Sequence, residues 1–225
     1  MTRVYFVSHA EAQGNNERIF QGITDGDITE NGYKQLEALK KRFEDIKLDA
    51  IYSSDLKRTV KTAQAVKGNK PLEIIKVPKL REINGGKWEG RFWYELPELF
   101  PKEAEKWVKD FASFRAPEGE SVRELYDRAT DTILGIVKEN SGKTIAIVTH
   151  GTVLRVFHTF LRCLDFKECA NIEWCDNTAV TLAEFDESLT PTIIFENDNS
   201  HLGDLSTFKK QKWWKDNTID DQKIL

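Results

Sequence analysis

The stretch Thr144–Leu164, TIAIVTHGTVLRVFHTFLRCL, decides how this chain folds. From Thr144 to His150 it is apolar nearly throughout, which suits a strand covered on both faces better than one with a wet side. A helical pattern starts at Gly151, directly after His150, with no hairpin turn between them. A doubly covered strand feeding straight into a helix is the unit from which parallel α/β sheets are built.

The same rhythm continues outward. Strand-forming runs rich in β-branched and aromatic residues lie at Val4–Val7, Ala50–Ser53, Leu72–Val77, Ala179–Phe185 and Thr192–Glu196. Helical patterns separate them. TENGYKQLEALKKRFEDI opens at Thr29 and puts Leu36, Leu39 and Phe43 on one stripe. SDLKRTVKTAQAVKG follows Ser54 and stops at Gly68, a suitable C-cap. SVRELYDRATDTILGIVKEN begins with a Ser121/Glu124 capping box and buries Leu125, Ala129, Ile133 and Val137. Alternating strands and helices predict an α/β sandwich with a mostly parallel sheet.

A length of 225 residues suits one domain, 1–225, with a modest insertion. Residues 80–119 break the alternation. They hold Trp88, Trp93 and Trp107 with Pro97, Pro101 and Pro117, and read as a crossover, helical near Pro101–Phe111, that serves as a lid, a pocket wall or a plain connection. The tail beyond His201 is polar and carries Trp213 and Trp214, compatible with a last helix or with a mobile end. The formal net charge of −4 gives no global attraction for nucleic acid or an anionic membrane. No apolar run approaches the ~20 residues needed to span a bilayer, and the opening MTRVYFVSHA is too short an apolar run for a secretory signal. Cys163, Cys169 and Cys175 fit no zinc spacing and are odd in number. Reduced thiols in a cytoplasmic protein are the expectation.

In an open parallel sheet, ligands bind beyond the carboxyl ends of the strands. Three strand ends carry suggestive residues: Ser8 and His9; Ser53 and Ser54 with Asp55 and Arg58; and His150 followed by Gly151. Parallel strands would bring two imidazoles, a guanidinium and a helix N-terminus to one edge, a combination that binds an oxyanion. Each element alone also has a structural reading, as a packing histidine or a solvated charge. His158, among Val156, Phe157 and Phe160, reads as helix packing.

These residues, taken in order from Val4 to His201, resemble the histidine phosphatase superfamily, the phosphoglycerate-mutase-like phosphatases. In SHAEAQGN, His9, Glu11 and Asn15 match the family's Arg-His-Gly-Glu-Thr-x-x-Asn, with Ala10 and Ala12 for Gly and Thr. FQGITDGDITENGYKQ, IYSSDLKRTVKTA, LREINGGKWEG, GESVRELYDR and IVTHGTVLR follow the remaining segments in order, and NDNSHL resembles a tail motif of the smaller phosphatase branch. The resemblance implies a three-layer α/β/α, phosphoglycerate-mutase-like sandwich, no metal, no cofactor and a small-molecule phosphomonoester substrate. It implies His9 as nucleophile, Arg58 and His150 on the phosphoryl oxygens, Asn15 as a neutral donor and the Gln21–Gly22 turn beside them. Glu82 becomes the general acid and then base, a role that suits a carboxyl whose pKa rises next to a phosphate. Glu11 and Glu89 are the alternative donors.

The chain departs from this pattern at Ser8, where the family has arginine. Serine brings one hydrogen bond and no charge. Loss of a transition-state arginine costs ~10³–10⁵ in rate where it acts as an arginine finger. Three readings follow: a weakened phosphatase, a phospholigand-binding pseudoenzyme, or a replacement cation such as Arg18, which otherwise reads as an exposed loop charge. Phosphoglycerate mutase is a further alternative, though the crossover is short for one. Trp88, Phe92 and Trp93 read either as an aromatic wall favouring an apolar or sugar leaving group, or as crossover core.

Overall fold

The computed structural model describes residues 1–210; Trp213 and Trp214 lie outside them. Six strands form one sheet: β1 (Thr2–Ser8), β2 (Ala50–Ser53), β3 (Ile74–Lys76), β4 (Thr144–Thr149), β5 (Val180–Phe185) and β6 (Pro191–Asp198). Their spatial order is β3-β2-β4-β1-β5-β6. The first four in that order run parallel, and β5 is antiparallel to both β1 and β6. The helices are α1 (Gln13–Glu17), α2 (Glu30–Arg42), α3 (Lys57–Lys67), α4 (Leu96–Leu99), α5 (Pro101–Lys109), α6 (Val122–Glu139), α7 (Gly151–Leu161) and α8 (Thr207–Lys210).

The period-2 alternation of the strands splits the core into two layers. Val4, Phe6, Ile145 and Ile147 face α6 and α7, where they meet Ile133, Val137, Leu154 and Phe157. Val7, Ala146 and Val148 face the opposite side, against Leu39 and Phe43 of the α2 region and Ala63 and Val66 of α3. The central strands are therefore apolar on both faces, and the sandwich has three layers. Caps fix the helix starts: Thr29 Oγ1 accepts from Gly32 N at 3.0 Å, and the Ser121 hydroxyl and Glu124 exchange the two bonds of a capping box.

A third core lies beyond the carboxyl edge of the sheet, under residues 80–119. It is aromatic. Trp107 has Phe20, Trp88, Trp93, Phe111, Phe114 and Trp174 around it at ring-centroid distances of 4.8–6.0 Å. Trp88 is fully buried there and belongs to the core, whereas Phe92 lies on the surface stacked against Tyr94.

Some elements differ from the sequence expectation. β3 covers only Ile74–Lys76 of Leu72–Val77, because Leu72 N–H turns back to the Lys70 carbonyl after Pro71 and Pro78 starts a 3₁₀ turn. As an edge strand it has β2 as its one partner. α2 ends at Arg42, with Phe43 as C-cap turning into the core instead of prolonging the helix. The short α1 was not expected from the polar run after His9. Among the described residues, no helix is long and apolar enough to cross a membrane.

Candidate active site

The parallel strands β1, β2 and β4 end at one edge, as βα topology requires, and their last residues meet there. His9 follows β1 and is held from four sides. Its N–H donates to the Thr149 carbonyl at 3.0 Å, and its carbonyl accepts from Asn177 Nδ2 at 3.0 Å and Thr178 N at 3.2 Å. Its Nδ1 lies 2.8 Å from the Ala10 carbonyl, which can only accept. The proton therefore sits on Nδ1, and Nε2 keeps the lone pair.

His150 ends β4 and serves as N-cap of α7. Its ring centroid is 5.3 Å from that of His9, at an interplanar angle of 61°. Its Nε2 is 2.9 Å from Ser54 Oγ at the end of β2, and its Nδ1 is buried without a partner. Burial first, then Arg58, lowers the His9 pKa to about 3; burial, then Arg58, then His9 itself hold His150 well below the usual imidazole value. Both rings are neutral at neutral pH.

Arg58, in the first turn of α3, is 1% exposed and so is not the solvated charge that the first-turn position suggests. Its Nη1 donates to the Thr24 carbonyl at 2.8 Å and its Nη2 to the carbonyls of Gly22 at 2.6 Å and Gln21 at 3.4 Å. Its Nε is buried and unpartnered. Burial lowers its pKa to about 10, against the opposing pull of Glu82, Asp25 and Glu89, so it stays charged at neutral pH. Glu89 holds the other side of the same loop through the N–H groups of Ile23 and Thr24 and also accepts from Gly85 N. The Gln21–Thr24 loop is thus clamped by its carbonyls on Arg58 and by its amides on Glu89. Glu11 is likewise committed, to Thr29, Asn31 and Thr207.

Glu82 remains as the carboxyl facing the cleft. Its Oε1 accepts from Ile83 N at 2.8 Å and its Oε2 from Thr152 N at 2.9 Å, the latter at the N-terminus of α7. Burial raises its pKa, and the bonds from Thr152 and Ile83 moderate the rise. Arg128 braces the backbone beneath it, donating to the carbonyls of Lys79, Arg81 and Glu82.

The cleft encloses about 80 Å³, room for several waters on the scale of roughly 10–15 Å³ each, and so for a small molecule. Ser8, His9, Asn15, Gln21, Glu82 and Gly151 line it; Arg58, His150 and Gly22 are buried and do not. Asn15 Oδ1 accepts from Ala12 N at 3.0 Å, and Gln21 Oε1 from Gly14 N at 3.2 Å. Ser8 lies near the Cys175 thiol, whose pKa burial pushes up to about 12. Cys163 and Cys169 lie elsewhere as free thiols. Arg18 is half-buried and engaged, not an exposed loop charge, and it does not line the cleft. His158 is buried in α7 with Nδ1 3.1 Å from Glu196, away from the cleft. Among the described residues, no set of three His, Cys, Asp or Glu side chains converges as metal ligands would.

Sequence reasoning missed part of the lining: Phe20, Trp107, Trp174, Cys175, Asn177 and Phe208. One signal was available. β5 is antiparallel to β1, so its beginning lies at the same edge as the end of β1, and the residues just before it border His9. Asp176 in that turn accepts from Asn199, Ser206, Thr207 and Phe208, so the chain's last described turn is latched beside His9. His201, of the NDNSHL stretch, braces the turn through Thr178.

Comparison with known proteins agrees with this arrangement. The profile of the histidine phosphatase superfamily (branch 1) matches residues 4–198. Phosphoserine phosphatase 1 of Hydrogenobacter thermophilus is 31% identical over 204 residues, covering 91% of this chain and 96% of that protein. The metal-independent phosphoserine phosphatase of Arabidopsis thaliana is 36% identical over 164 residues, covering 70% of this chain and 68% of the plant protein. The structure of Bacillus stearothermophilus YhfR superposes with a TM-score of 0.86 at 31% identity, covering 90% of this chain and 100% of that one.

Proposed function

The chain belongs to the histidine phosphatase superfamily, and from that premise we propose that it hydrolyses small phosphomonoesters through a phosphohistidine on His9. The observation that carries this reading is a convergence of unsatisfied groups. His9 presents a neutral ring with its lone pair on Nε2, and Arg58 Nε and His150 Nδ1 are buried beside it without partners. A Ser54 hydroxyl that donates to Nε2 of His150 would leave the proton of that ring on Nδ1. Two buried donors without acceptors are costly unless an anion meets them.

In the first step Nε2 of His9 attacks phosphorus, an N–P bond forms, and the P–O bond to the leaving group breaks as Glu82 gives that oxygen its proton. In the second, the Glu82 carboxylate takes a proton from water, the water oxygen attacks phosphorus, and the N–P bond breaks. Inorganic phosphate leaves, and neutral His9 and protonated Glu82 return. Positioning and donors around the equatorial oxygens supply most of the catalysis. Ser8, uncharged and with a single hydroxyl, weakens this relative to an arginine.

The test is hydrolysis of p-nitrophenyl phosphate with excess chelator. Turnover is expected, and Ser8→Arg is expected to raise it at least tenfold. Undetectable turnover in both proteins overturns the hydrolase reading. Ser8 also motivates a second reading, a phospholigand sensor, which calorimetric phosphate binding without any phosphohistidine would favour.

A further inference from the structure

The phosphoryl group has its donors at the strand ends, but the leaving group must lie against the outer part of the cleft. That part is aromatic. Phe20, Trp93, Trp107, Trp174 and Phe208 line it, with Ile19 beside them. Trp107 and Trp174 stack at 6.0 Å with an interplanar angle of 24°, so the buried Trp107 ring backs the Trp174 ring.

Among the described residues that line the cleft there is no lysine or arginine, and Glu82 is the one acidic side chain. The nearby cations hold other groups, although Arg58 Nε and Arg155 Nη1 are buried without partners. Arg58 holds the Gln21–Thr24 loop. Arg18, next to Ile19 in sequence, is already engaged. Arg155 lies beneath Trp174, its guanidinium 4.4 Å from that ring and 4.2 Å from Phe111, with Nε and Nη2 donating to the Cys169 and Ala170 carbonyls. Its charge is thereby used to fix the Trp174 ring. Arg155 does border the adjoining cavity, but Glu173 and Asp176 border it too and oppose an anion there.

A carboxylate carried into the outer cleft would lose its hydration and meet no cation among these lining residues. An aromatic ring would gain apolar burial and ring stacking. We therefore propose that this cleft selects phosphomonoesters with an aromatic or otherwise apolar, uncharged leaving group over acidic ones, and that Trp174, fixed by Arg155, is a specificity-determining residue. The proposal rests on the hydrolase reading and deepens it. It separates this chain from the relatives named as phosphoserine phosphatases, because phosphoserine carries a carboxylate beside its phosphate.

The experiment compares kcat/KM for 2-phenylethyl phosphate and phosphoserine in the presence of chelator. The serine hydroxyl is the better leaving group of the two, so intrinsic reactivity works against the expected order. The phenylethyl ester is expected to be favoured at least tenfold, and Trp174→Ala to narrow the ratio below threefold; Trp174→Leu, which keeps more of the apolar volume, gives an intermediate ratio and guards against misfolding. Hydrolysis of both esters with equal or inverted preference overturns the proposal and leaves the hydrolase reading standing. If neither ester nor p-nitrophenyl phosphate turns over, the hydrolase reading falls. Selectivity is then decided by calorimetry with the matched phosphonates, 3-phenylpropylphosphonate and 2-amino-4-phosphonobutanoate: tenfold tighter binding of the first supports it, and equal or weaker binding overturns it.

Discussion

The inner and outer halves of the cleft are built on different principles. The inner half consists of polar side chains at strand ends, each fixed by directional bonds. His9 is tied through its N–H, its carbonyl and Nδ1, Arg58 through three carbonyls, and Glu82 through two backbone amides. The outer half consists of rings from five separated segments, fixed by mutual contact and by the flat faces of Arg155. Directional bonds tolerate few substitutions, whereas ring packing tolerates swaps that keep volume. In the proposed reaction the chemistry is therefore set where replacement is hardest, and selectivity where replacement is easiest.

The sharpest way to break this division is at its inner half. His9→Ala removes the proposed nucleophile, and kcat is expected to fall by ~10⁴ or more, as losses of nucleophiles in other enzymes do. Quenched single-turnover assays with labelled phosphate ester should show no acid-labile phosphoprotein. Retention of labelled phosphoenzyme in this variant would place the nucleophile elsewhere.

A second intervention acts behind the outer half. Trp88 is fully buried beneath the cleft wall and does not line the cleft. Trp88→Ala is expected to destabilise the protein by ~3–5 kcal/mol, read from urea denaturation. Its indole Nε1 has no partner, which favours the low end of that range. A loss below about 1 kcal/mol would show that the aromatic cluster is no true core.

The smallest effect is graded with pH. His9, His150, His158 and His201 all have lowered pKa values, about 3 for His9 and about 4 for His158 and His201, with burial the leading cause each time. A lowered histidine pKa means that the unfolded chain binds the proton more tightly. The stability due to a neutral buried ring is therefore full above about pH 6.5 and declines as pH falls, by up to ~1.4 kcal/mol per pH unit for each ring. Glu82, with its raised pKa, has the opposite sign: its contribution is present at low pH and lost as pH rises, and it offsets part of the decline. Denaturation midpoints should fall steadily from pH 7 to pH 5. A flat profile would mean that the imidazoles are solvated. In activity the signs separate further. His9 stays neutral through this range, and kcat should drop on the alkaline side as Glu82 loses its proton.

The two halves also differ in how far the sequence discloses them. The central strands were legible because a run such as TIAIVT is apolar in both phases of its alternation and runs directly into a helix. The inner half followed from that pattern, since parallel strands place Ser8, Ser54 and His150 at one edge whatever the loops do. Arg58 was found, but its partners were not: nothing local shows that its guanidinium clamps the Gln21–Thr24 carbonyls. Ser8 was visible as a departure from arginine, but its place beside Cys175 in the cleft lining was not.

The sequence by itself determined the layers, the shared direction of the parallel strands and which strand-end residues gather at one edge, because each depends on periodicity within one segment or on the fixed sense of a strand–helix unit. Only the tertiary structure decided that Phe20, Trp93, Trp107, Trp174 and Phe208, spread over most of the chain, share one surface. Ring packing is non-directional and leaves no periodic mark in a sequence, so these residues meet only once the sheet, the crossover and the last described turn have closed around the same space.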